Sequence, residues 1–382
     1  MKNVVLLGCT GSIGDSSFKV LENLGDKYRL IGISGGRQVD KLIRRARQWK
    51  VPRVCLGDSD QLDQVRQALP TVEISCGPEG LAAMAQLEEA DIVINGLVGA
   101  VGLGPSLAAA KAGKMLAMAN KEPLVMAGEL VLAQVEAGGG VLLPLDSEPN
   151  AIWQCLQGES PRHIRRLLLT ASGGPFFGRT TQQMQAVSPA QALDHPTWKM
   201  GAKITVDSAT LMNKGFEIIE ASYLFGIPEA AIEVVIHRQS VVHSMVEFND
   251  ASILAHLGKT DMMLPIQYAL THPERSPTGL EYLDFSSLGQ LTFAAPDGAT
   301  FPALDLCRMA RRAGGTVPAA LNAANEVAVQ AFLEKRIGFL DIVAICQSLL
   351  DQWDQGPAET LEQVLAADAE GRRQTVEFIP PV

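Results

Sequence analysis

Acidic side chains with the spacing of a metal site occur in two segments of the chain. Asp146 and Glu148 follow a short apolar run, and Glu217 and Glu220 lie three residues apart in a helical pattern. Alternate residues of an extended chain face the same side, so we expect Asp146 and Glu148 to point in one direction. Oxygen ligands without a Cys or His cluster favour Mg²⁺ or Mn²⁺ over zinc. Acidic pairs are also common on solvated surfaces, and the spacing leaves that alternative open.

Residues that favour a phosphate monoester form a second group. Ser172 and the two glycines after it, Ser208, and the pair Asn213 and Lys214 offer backbone amides, hydroxyls, a side-chain amide and one ammonium. A plain Gly-Gly turn and a helix N-terminus are the alternatives. A segment with His195, Trp198 and turn residues follows the pattern of a lid that closes over a substrate, or of a packed aromatic side chain.

A glycine-rich turn between a predicted strand and a predicted helix indicates nucleotide binding. Gly8, Gly11 and Gly14 would let the backbone approach a pyrophosphate at the helix N-terminus. Their spacing differs from G-x-G-x-x-G, so the strand–turn–helix context carries the prediction, and a tight turn without a ligand is the alternative. The second predicted strand ends in Gly36-Arg37-Gln38 without a carboxylate. A guanidinium favours a 2′-phosphate, which predicts NADP rather than NAD.

Composition excludes several classes of protein. In 382 residues, 47% are hydrophobic and 19% charged, which excludes a disordered chain. The net charge of −10 disfavours a nucleic-acid partner. Six widely spaced cysteines without a C-x-x-C pair indicate buried thiols of a reducing compartment. Because no apolar stretch approaches the roughly 20 residues of a membrane span, we expect a soluble, cytoplasmic protein without a membrane partner.

Alternating strand and helix patterns predict an α/β fold. Seven short apolar runs in the first 146 residues, with helical segments between them, indicate βαβ units and a parallel sheet. Strand-like segments at 166–171, 232–237 and 241–248 indicate a second sheet. Residues 273–300 are rich in turn signals, and the rest of the chain has apolar residues at helical spacing. We predict the following domains: residues 1–146 for the dinucleotide, 147–272 for catalysis, 273–300 as a connecting segment and 301–382 as a helical domain.

Several longer motifs occur in a fixed order along the chain. They are Gly8-x-Thr-Gly-Ser-Ile-Gly14, Ala119-Asn-Lys-Glu122, Leu145-Asp-Ser-Glu-x-Asn150, Ser172-Gly-Gly-Pro-Phe176, His195-Pro-x-Trp-x-Met-Gly201, Lys203-Ile-x-Val-Asp-Ser-Ala-Thr-x-Met-Asn-Lys-Gly215, Glu217-x-x-Glu-Ala221 and Leu321-Asn-Ala-Ala-Asn-Glu326. Together these motifs resemble the 1-deoxy-D-xylulose 5-phosphate reductoisomerase family along nearly the whole chain.

The resemblance implies an NADPH-dependent enzyme of the non-mevalonate isoprenoid pathway that also needs one divalent cation, Mg²⁺ or Mn²⁺. Members convert 1-deoxy-D-xylulose 5-phosphate to 2-C-methyl-D-erythritol 4-phosphate, by a retro-aldol and aldol rearrangement followed by hydride transfer. The family is homodimeric. Its fold has an N-terminal Rossmann-like dinucleotide-binding domain, a central α+β catalytic domain with a flexible loop, and a C-terminal helical domain.

Matching motif positions imply a role for each site residue. The implied metal ligands are Asp146, Glu148 and Glu217. The implied catalytic residues are Lys121, Glu148 and His195. The implied substrate contacts are Lys121, Ser147, Glu148, Ser172, His195, Trp198, Ser208, Asn213, Lys214 and Glu217. The implied NADPH contacts are Thr10, Gly11, Ser12, Ile13, Gly36, Arg37, Gln38, Asn120, Glu122 and Gly201.

One departure from the family pattern and two alternatives stay open. The family often has Gly-Lys-Asn where this chain has Gly36-Arg37-Gln38, which keeps the positive charge but leaves the margin of NADPH over NADH undetermined. Another NADP-linked, metal-assisted reductase, such as a ketol-acid reductoisomerase, would share the cofactor and the metal but would not need the phosphate group of residues. A nucleotide-sensing protein on a dehydrogenase fold would need neither the carboxylates nor the phosphate group.

Overall fold

The computed structural model describes residues 1–381 and divides the chain into two compact units. The first unit contains residues 1–123, 131–146 and 261–280, and the remaining segments form the second. Residues 261–272, which the sequence assigned to the catalytic part, therefore cluster with the first unit. The assignment of functions to domains stays a prediction.

The first unit is built on a parallel sheet of seven strands. The strands are β1 Lys2–Leu7, β2 Tyr28–Gly35, β3 Arg53–Leu56, β4 Glu73–Cys76, β5 Ile92–Asn95, β6 Met115–Met118 and β7 Val141–Pro144. Their order is β4-β3-β2-β1-β5-β6-β7, and neighbouring strands run parallel throughout. The strand order reverses between β1 and β5, and ligands of open α/β sheets bind at such a switch point. The predicted parallel sheet is confirmed.

Helices cover this sheet because its strands are apolar on both sides. Val4, Val5, Leu6 and Leu7 of β1 are all fully buried, as expected for a strand with a helical layer on each face. The helices that follow the strands are α1 Ser12–Leu24, α2 Val39–Trp49, α3 Leu62–Ala68, α4 Gly77–Ala85, α5 Leu103–Lys111 and α6 Glu122–Gly138.

The second unit contains a four-stranded sheet. Its strands are β8 Ile164–Ala171, β9 Ile232–Ile236, β10 Val242–Phe248 and β11 Ile253–Leu257. Their order is β11-β10-β8-β9, in which β8 and β9 run parallel and the other neighbours antiparallel. All three strand-like segments predicted here are confirmed. Since β8 and β9 are parallel neighbours, the loops at their carboxyl ends lie side by side.

The helices that follow β7 belong to the second unit, except for α12. They are α7 Ser147–Cys155, α8 Thr181–Met184, α9 Pro189–Ala192, α10 Ala202–Thr210, α11 Met212–Phe225, α12 Met263–Thr271, α13 Phe285–Leu288, α14 Ala303–Ala313, α15 Val317–Leu333, α16 Asp341–Leu350 and α17 Leu361–Glu377. Helix α12 clusters with the first unit. Helix α15 packs against α14, α16 and α17, which confirms the predicted helical bundle. Among residues 1–381, no helix combines the length and the apolar character of a membrane span.

Candidate active site

The glycine-rich turn of the first unit lies between β1 and α1. Gly8 has a φ of +80°, and a Cβ atom there would be 2.4 Å from the carbonyl oxygen of Gly96. A Cβ atom at Gly14 would be 2.3 Å from the carbonyl oxygen of Cys9. Both positions therefore require glycine, because the turn and the start of α1 pack directly on backbone atoms. Gly11, the residue before α1, places no side chain over the free amides of the helix N-terminus.

Most of the predicted NADPH residues lie along one edge of the seven-stranded sheet. Carboxyl ends of parallel strands share an edge, and these residues follow β1, β2 and β6 directly. They are Thr10, Gly11, Ser12, Ile13, Gly36, Arg37, Gln38, Asn120 and Glu122. Arg37 is exposed, whereas Asn120 is buried and donates from Nδ2 to Glu122 and to the carbonyl oxygen of Gly99. An open helix N-terminus and an exposed arginine that follow neighbouring strands at one sheet edge fit a phosphorylated dinucleotide.

One predicted NADPH residue lies away from this sheet edge, and one residue that contacts the glycine-rich turn was not predicted. Gly201 belongs to the second unit, where it precedes α10. Lys41 of α2 was not predicted, yet its Nζ donates to the carbonyl oxygen of Thr10 at 2.9 Å and pairs with Asp15 at 2.8 Å. Lys41 therefore fixes the glycine-rich turn from the neighbouring helix. Lys41 lies outside the quoted motifs, and residue type alone does not predict this contact.

Asp146 and Glu148 come together by a different route from the predicted one. The expectation that both lie on one extended strand is wrong, because β7 ends at Pro144 and α7 begins at Ser147. Asp146 directly precedes the helix, and Glu148 is in its first turn, where a carboxylate interacts favourably with the helix dipole. The covalent chain therefore places the two carboxylates next to each other.

Glu217 completes a set of three carboxylates. It lies on α11 and is fully buried. One carboxylate oxygen from each of Asp146, Glu148 and Glu217 lies within 4.8 Å of the other two. Oxygens on opposite sides of a bound Mg²⁺ are about 4.2 Å apart, so a small shift of these side chains would let all three bind one such cation. Oxygen-only ligands also match the preference of Mg²⁺ and Mn²⁺.

Lysine ammonium groups lie next to all three carboxylates. In the first unit, Lys121 is buried and pairs with Asp146. In the second unit, Lys214 is buried and pairs with Glu217 and, at 2.9 Å, with Glu148. Burial alone would lower the pKa of Lys214, but these two carboxylates raise it above its ordinary value. Lys214 is therefore charged at neutral pH.

Asn213 also contacts the carboxylate group. Its Nδ2 donates to Glu217 Oε1 at 2.6 Å, and the hydroxyl of Ser147 donates to Glu148 Oε2 at 2.6 Å. Asn213 and Lys214 were predicted for phosphate contact, and the structure brings both onto a predicted metal ligand. A positive φ of +64° at Leu211 separates α10 from α11 and lets the two helices carry different parts of the site.

Ser172, Gly174 and His195 form a second group. The Oγ of Ser172 lies 3.0 Å from Nε2 of His195 and accepts from the amide of Gly174 at 3.2 Å. Ser208 is adjacent, since a Cβ atom at Gly174 would be 2.6 Å from its carbonyl oxygen. The hydroxyl of Ser208 donates to the carbonyl oxygen of Ile204 within α10. The structure thus brings together Ser172, His195 and Ser208, which are all predicted substrate contacts.

The imidazole of His195 is held in one tautomer. Its Nδ1 accepts from the backbone amides of Thr197 at 3.2 Å and Trp198 at 2.9 Å. Nδ1 therefore carries no proton, and Nε2 donates to Ser172. Burial, followed by the nearby guanidinium of Arg238, lowers the pKa of His195 to about 4, against a smaller opposing effect of Glu148. The ring of Trp198 lies 6.4 Å from that of His243.

Two further sets of contacts were missed from the sequence. Arg238, in the turn after β9, donates to the carbonyl oxygens of Ser172 and Gly174. Asp207 of α10 is buried and accepts from Asn325 of α15 at 2.8 Å, while Lys203 pairs with it at 3.0 Å. Lys203, Asp207 and Asn325 all lie in motifs quoted above, but only the fold brings the distant α15 to α10.

His195 is expected to stay neutral throughout the physiological pH range. Histidine-labelled protein should show by nitrogen NMR an unprotonated Nδ1 and a protonated Nε2 from roughly pH 5.5 to 8, with a His195→Asn variant assigning the signals. Because the pKa is lowered, the unfolded chain binds more protons at this residue between about pH 4 and 6.5, so the free energy of unfolding falls as the pH drops through that window. Titration of His195 near its ordinary pKa would contradict this arrangement.

Comparison with known proteins places these features in one family. Residues 4–128 match the family model for 1-deoxy-D-xylulose 5-phosphate reductoisomerase, and residues 142–225 match the model for its C-terminal domain. Residues 257–374 match a further model, the DXP reductoisomerase C-terminal domain. The three matches follow one another along the chain. They include the candidate NADPH residues and the candidate metal and substrate residues.

Individual relatives align over almost their full length. The 1-deoxy-D-xylulose 5-phosphate reductoisomerase of Ralstonia pickettii (strain 12J) is 48% identical over 99% of this chain and 98% of its own. The enzyme of Cyanothece sp. (strain PCC 7425) is 47% identical over 98% of this chain and 99% of its own.

Solved structures agree with this assignment. A DOX-P reductoisomerase in complex with NADPH, fosmidomycin and magnesium has a TM-score of 0.94 and 42% identity, and covers 99% of this chain and 98% of its own. The Zymomonas mobilis enzyme in complex with NADPH has a TM-score of 0.92 and 43% identity, with the same coverage of both chains. The chain therefore belongs to the 1-deoxy-D-xylulose 5-phosphate reductoisomerase family.

Proposed function

We propose that this chain is an enzyme that converts 1-deoxy-D-xylulose 5-phosphate to 2-C-methyl-D-erythritol 4-phosphate, with NADPH as reductant and one divalent cation. The reaction belongs to non-mevalonate isoprenoid biosynthesis. The observation that carries the proposal is the set of three carboxylates, with one oxygen from each within 4.8 Å of the others, in a chain of this family. Neither a nucleotide-sensing protein nor a metal-free reductase needs this set.

Asp146, Glu148 and Glu217 are the proposed ligands of Mg²⁺ or Mn²⁺. When bound, the cation supplies Lewis-acid polarisation of the substrate's carbonyl and of the hydroxyl beside it. The buried position of Glu217 and its hydrogen bond from Asn213 hold its carboxylate in one orientation. Such fixed orientation of a ligand is what an ion site with strict geometry needs.

Lys121 and Glu148 are the proposed groups for the reacting end of the substrate. The ammonium of Lys121 donates hydrogen bonds and is held at the start of α6, so it can orient a substrate oxygen. The carboxyl group of Glu148 can accept and release a proton, and its Oε2 accepts a hydrogen bond from the hydroxyl of Ser147. Glu148 is therefore the candidate proton carrier of the rearrangement. We assign Ser147 to the substrate through this same contact.

We assign the phosphate group of the substrate to residues of the Ser172 loop, of α10 and of the start of α11. Ser172 and Ser208 offer hydroxyls, and Asn213 and Lys214 offer an amide and an ammonium. His195 donates from Nε2 toward Ser172 and is the third proposed catalytic residue, while Trp198 covers the substrate from the same loop. Binding of the remote phosphate would hold the reacting carbons in place.

NADPH is assigned to the edge of the parallel sheet in the first unit. The proposed contacts are Thr10, Gly11, Ser12, Ile13, Gly36, Arg37, Gln38, Asn120, Glu122 and Gly201. NADPH supplies the hydride. The turn around Thr10 and the open N-terminus of α1 would bind the pyrophosphate, and Arg37 would bind the 2′-phosphate.

The proposed surroundings of the enzyme are supported by its net charge and its cysteines. The six cysteines are all free, which is typical of a reducing compartment, and we propose the cytoplasm. A net charge of −10 opposes attraction to nucleic acids and to anionic membrane surfaces, so we propose neither as a partner.

The first test is an assay of NADPH consumption. We expect loss of NADPH absorbance with 1-deoxy-D-xylulose 5-phosphate and Mg²⁺ or Mn²⁺, and no loss with EDTA. Asp146→Asn removes a ligand charge and should lower turnover by at least about 100-fold. Asp354→Asn, at an exposed aspartate outside the site, is the matched control and should be fully active. Tight NADPH binding without consumption in the wild type, or full activity of Asp146→Asn, would sink the proposal.

We also propose a homodimer. Strand β11 is an edge of the four-stranded sheet, and its Ile253 and Leu254 are 50% and 42% exposed. An edge strand with apolar side chains is a surface on which a second chain can pair. Sedimentation velocity should give about twice the 40.8 kDa of one chain. Leu254→Lys should shift the protein toward monomer, whereas Leu365→Lys, at a similarly exposed leucine of α17, should not. A monomeric wild type contradicts this proposal.

A further inference from the structure

The loop after β8 has a backbone that only glycine adopts readily. Gly173 and Gly174 have φ values of +75° and +66°, both in the left-handed region. The loop also lies directly on α10, since a Cβ atom at Gly174 would be 2.6 Å from the carbonyl oxygen of Ser208. A chain segment with this much backbone freedom when unfolded needs outside contacts to hold one conformation.

Arg238 provides those contacts from the turn after the neighbouring strand β9. Its Nη1 donates to the carbonyl oxygen of Ser172 at 2.7 Å and to that of Gly174 at 2.5 Å. One guanidinium nitrogen thus bridges both ends of the three-residue loop. The guanidinium also lies 5.4 Å from the ring centroid of Phe177, which packs it against the next turn of the chain.

The position of Arg238 is itself fixed by the residue before it. The backbone amide of His237 donates to the carbonyl oxygen of Ala171 at 2.7 Å and continues the pairing of β9 with β8. Nδ1 of His237 lies 2.9 Å from the carbonyl oxygen of Thr292, and its Nε2 accepts from the amide of Val241. The turn that carries Arg238 is therefore anchored on both sides.

The remaining donors of Arg238 stay available to a ligand. Within residues 1–381, its Nε and Nη2 make no hydrogen bond, and its permanent charge lies beside Ser172. The same charge contributes to the lowered pKa of His195, which is neutral at physiological pH. Arg238 therefore places a permanent positive charge next to Ser172.

We propose that Arg238 is a positioning residue for the phosphate group of the substrate: it holds the loop of residues 172–174 in its binding conformation and gives that loop a permanent positive charge. The inference rests on the proposed function, because the loop is assigned there to the substrate phosphate. It extends that assignment to a residue in the turn after β9, which donates to the carbonyl oxygens of the loop.

Two substitutions test the proposal in the full-length enzyme. Arg238→Met keeps the apolar stem but removes the charge and both hydrogen bonds, and should raise the KM for 1-deoxy-D-xylulose 5-phosphate roughly tenfold with kcat within about twofold. Arg238→Lys keeps a charge and donors and should restore part of the loss. Arg312→Met, at an exposed arginine of α14 paired with Glu229, is the matched control and should leave both constants unchanged.

A second readout separates this inference from the proposed function. Inorganic phosphate should bind the wild type measurably in a phosphorus NMR titration, and Arg238→Met should weaken that binding by a similar factor, whether or not the enzyme turns over the sugar phosphate. Wild-type KM and phosphate affinity in Arg238→Met would overturn the inference. So would equal losses of kcat and thermal stability without a change in phosphate affinity, since that result assigns Arg238 to folding alone.

Discussion

A carboxylate that is buried in a protein needs positive charge close to it, because removing an unpaired charge from water costs several kcal/mol. In the second unit, Glu217 is fully buried, and Lys214 lies against both it and Glu148. In the first unit, Lys121 pairs with Asp146. These ion pairs are the constraint on which the proposed site depends, since they offset the negative charge of the three acidic groups. A divalent cation would satisfy the same electrostatic requirement, which is why we propose these carboxylates as its ligands.

Local chain geometry explains how the acidic and basic groups meet. Lys214 and Glu217 are three residues apart on α11 and so lie on the same face of the helix. The start of α7 directly after Asp146 brings Glu148 beside it. On the other side of the second unit, the parallel pairing of β8 and β9 places Arg238 next to the Ser172 loop. Each contact follows from a helix period, a helix start or a strand register.

Sequence patterns were sufficient for the fold class, and the long motifs supplied the candidate site residues. Apolar runs between glycine-rich turns predicted all seven strands of the parallel sheet, and the motifs predicted the family. The spacing of Asp146 and Glu148 predicted their proximity but not the geometry, because α7 begins at Ser147, directly after Asp146, which is a preferred N-cap residue type. Arg238 and Asn325 could not be found this way, since their contacts join segments that are far apart in the chain and depend on strand order and helix packing.

The same limit applies to Asn213 and Lys214. Their side chains bind anions of either kind, and residue type alone does not distinguish a phosphate from a carboxylate. The helical periodicity of α11 brings both into contact with Glu217, one turn away, and this contact stands beside their proposed contact with the substrate phosphate. Arrangement on a helix face is therefore as informative as residue type for a site of this kind.

Direct measurement of Mn²⁺ binding tests the central claim that Asp146, Glu148 and Glu217 form one cation site. Titration of the wild-type chain, followed by the electron paramagnetic resonance of free Mn²⁺, should show one site per chain. Glu217→Gln should weaken it at least about tenfold, whereas Glu220→Gln, at an equally buried glutamate of the same helix outside the set, should leave it intact. No binding in the wild type, or unchanged binding in Glu217→Gln, would contradict the account.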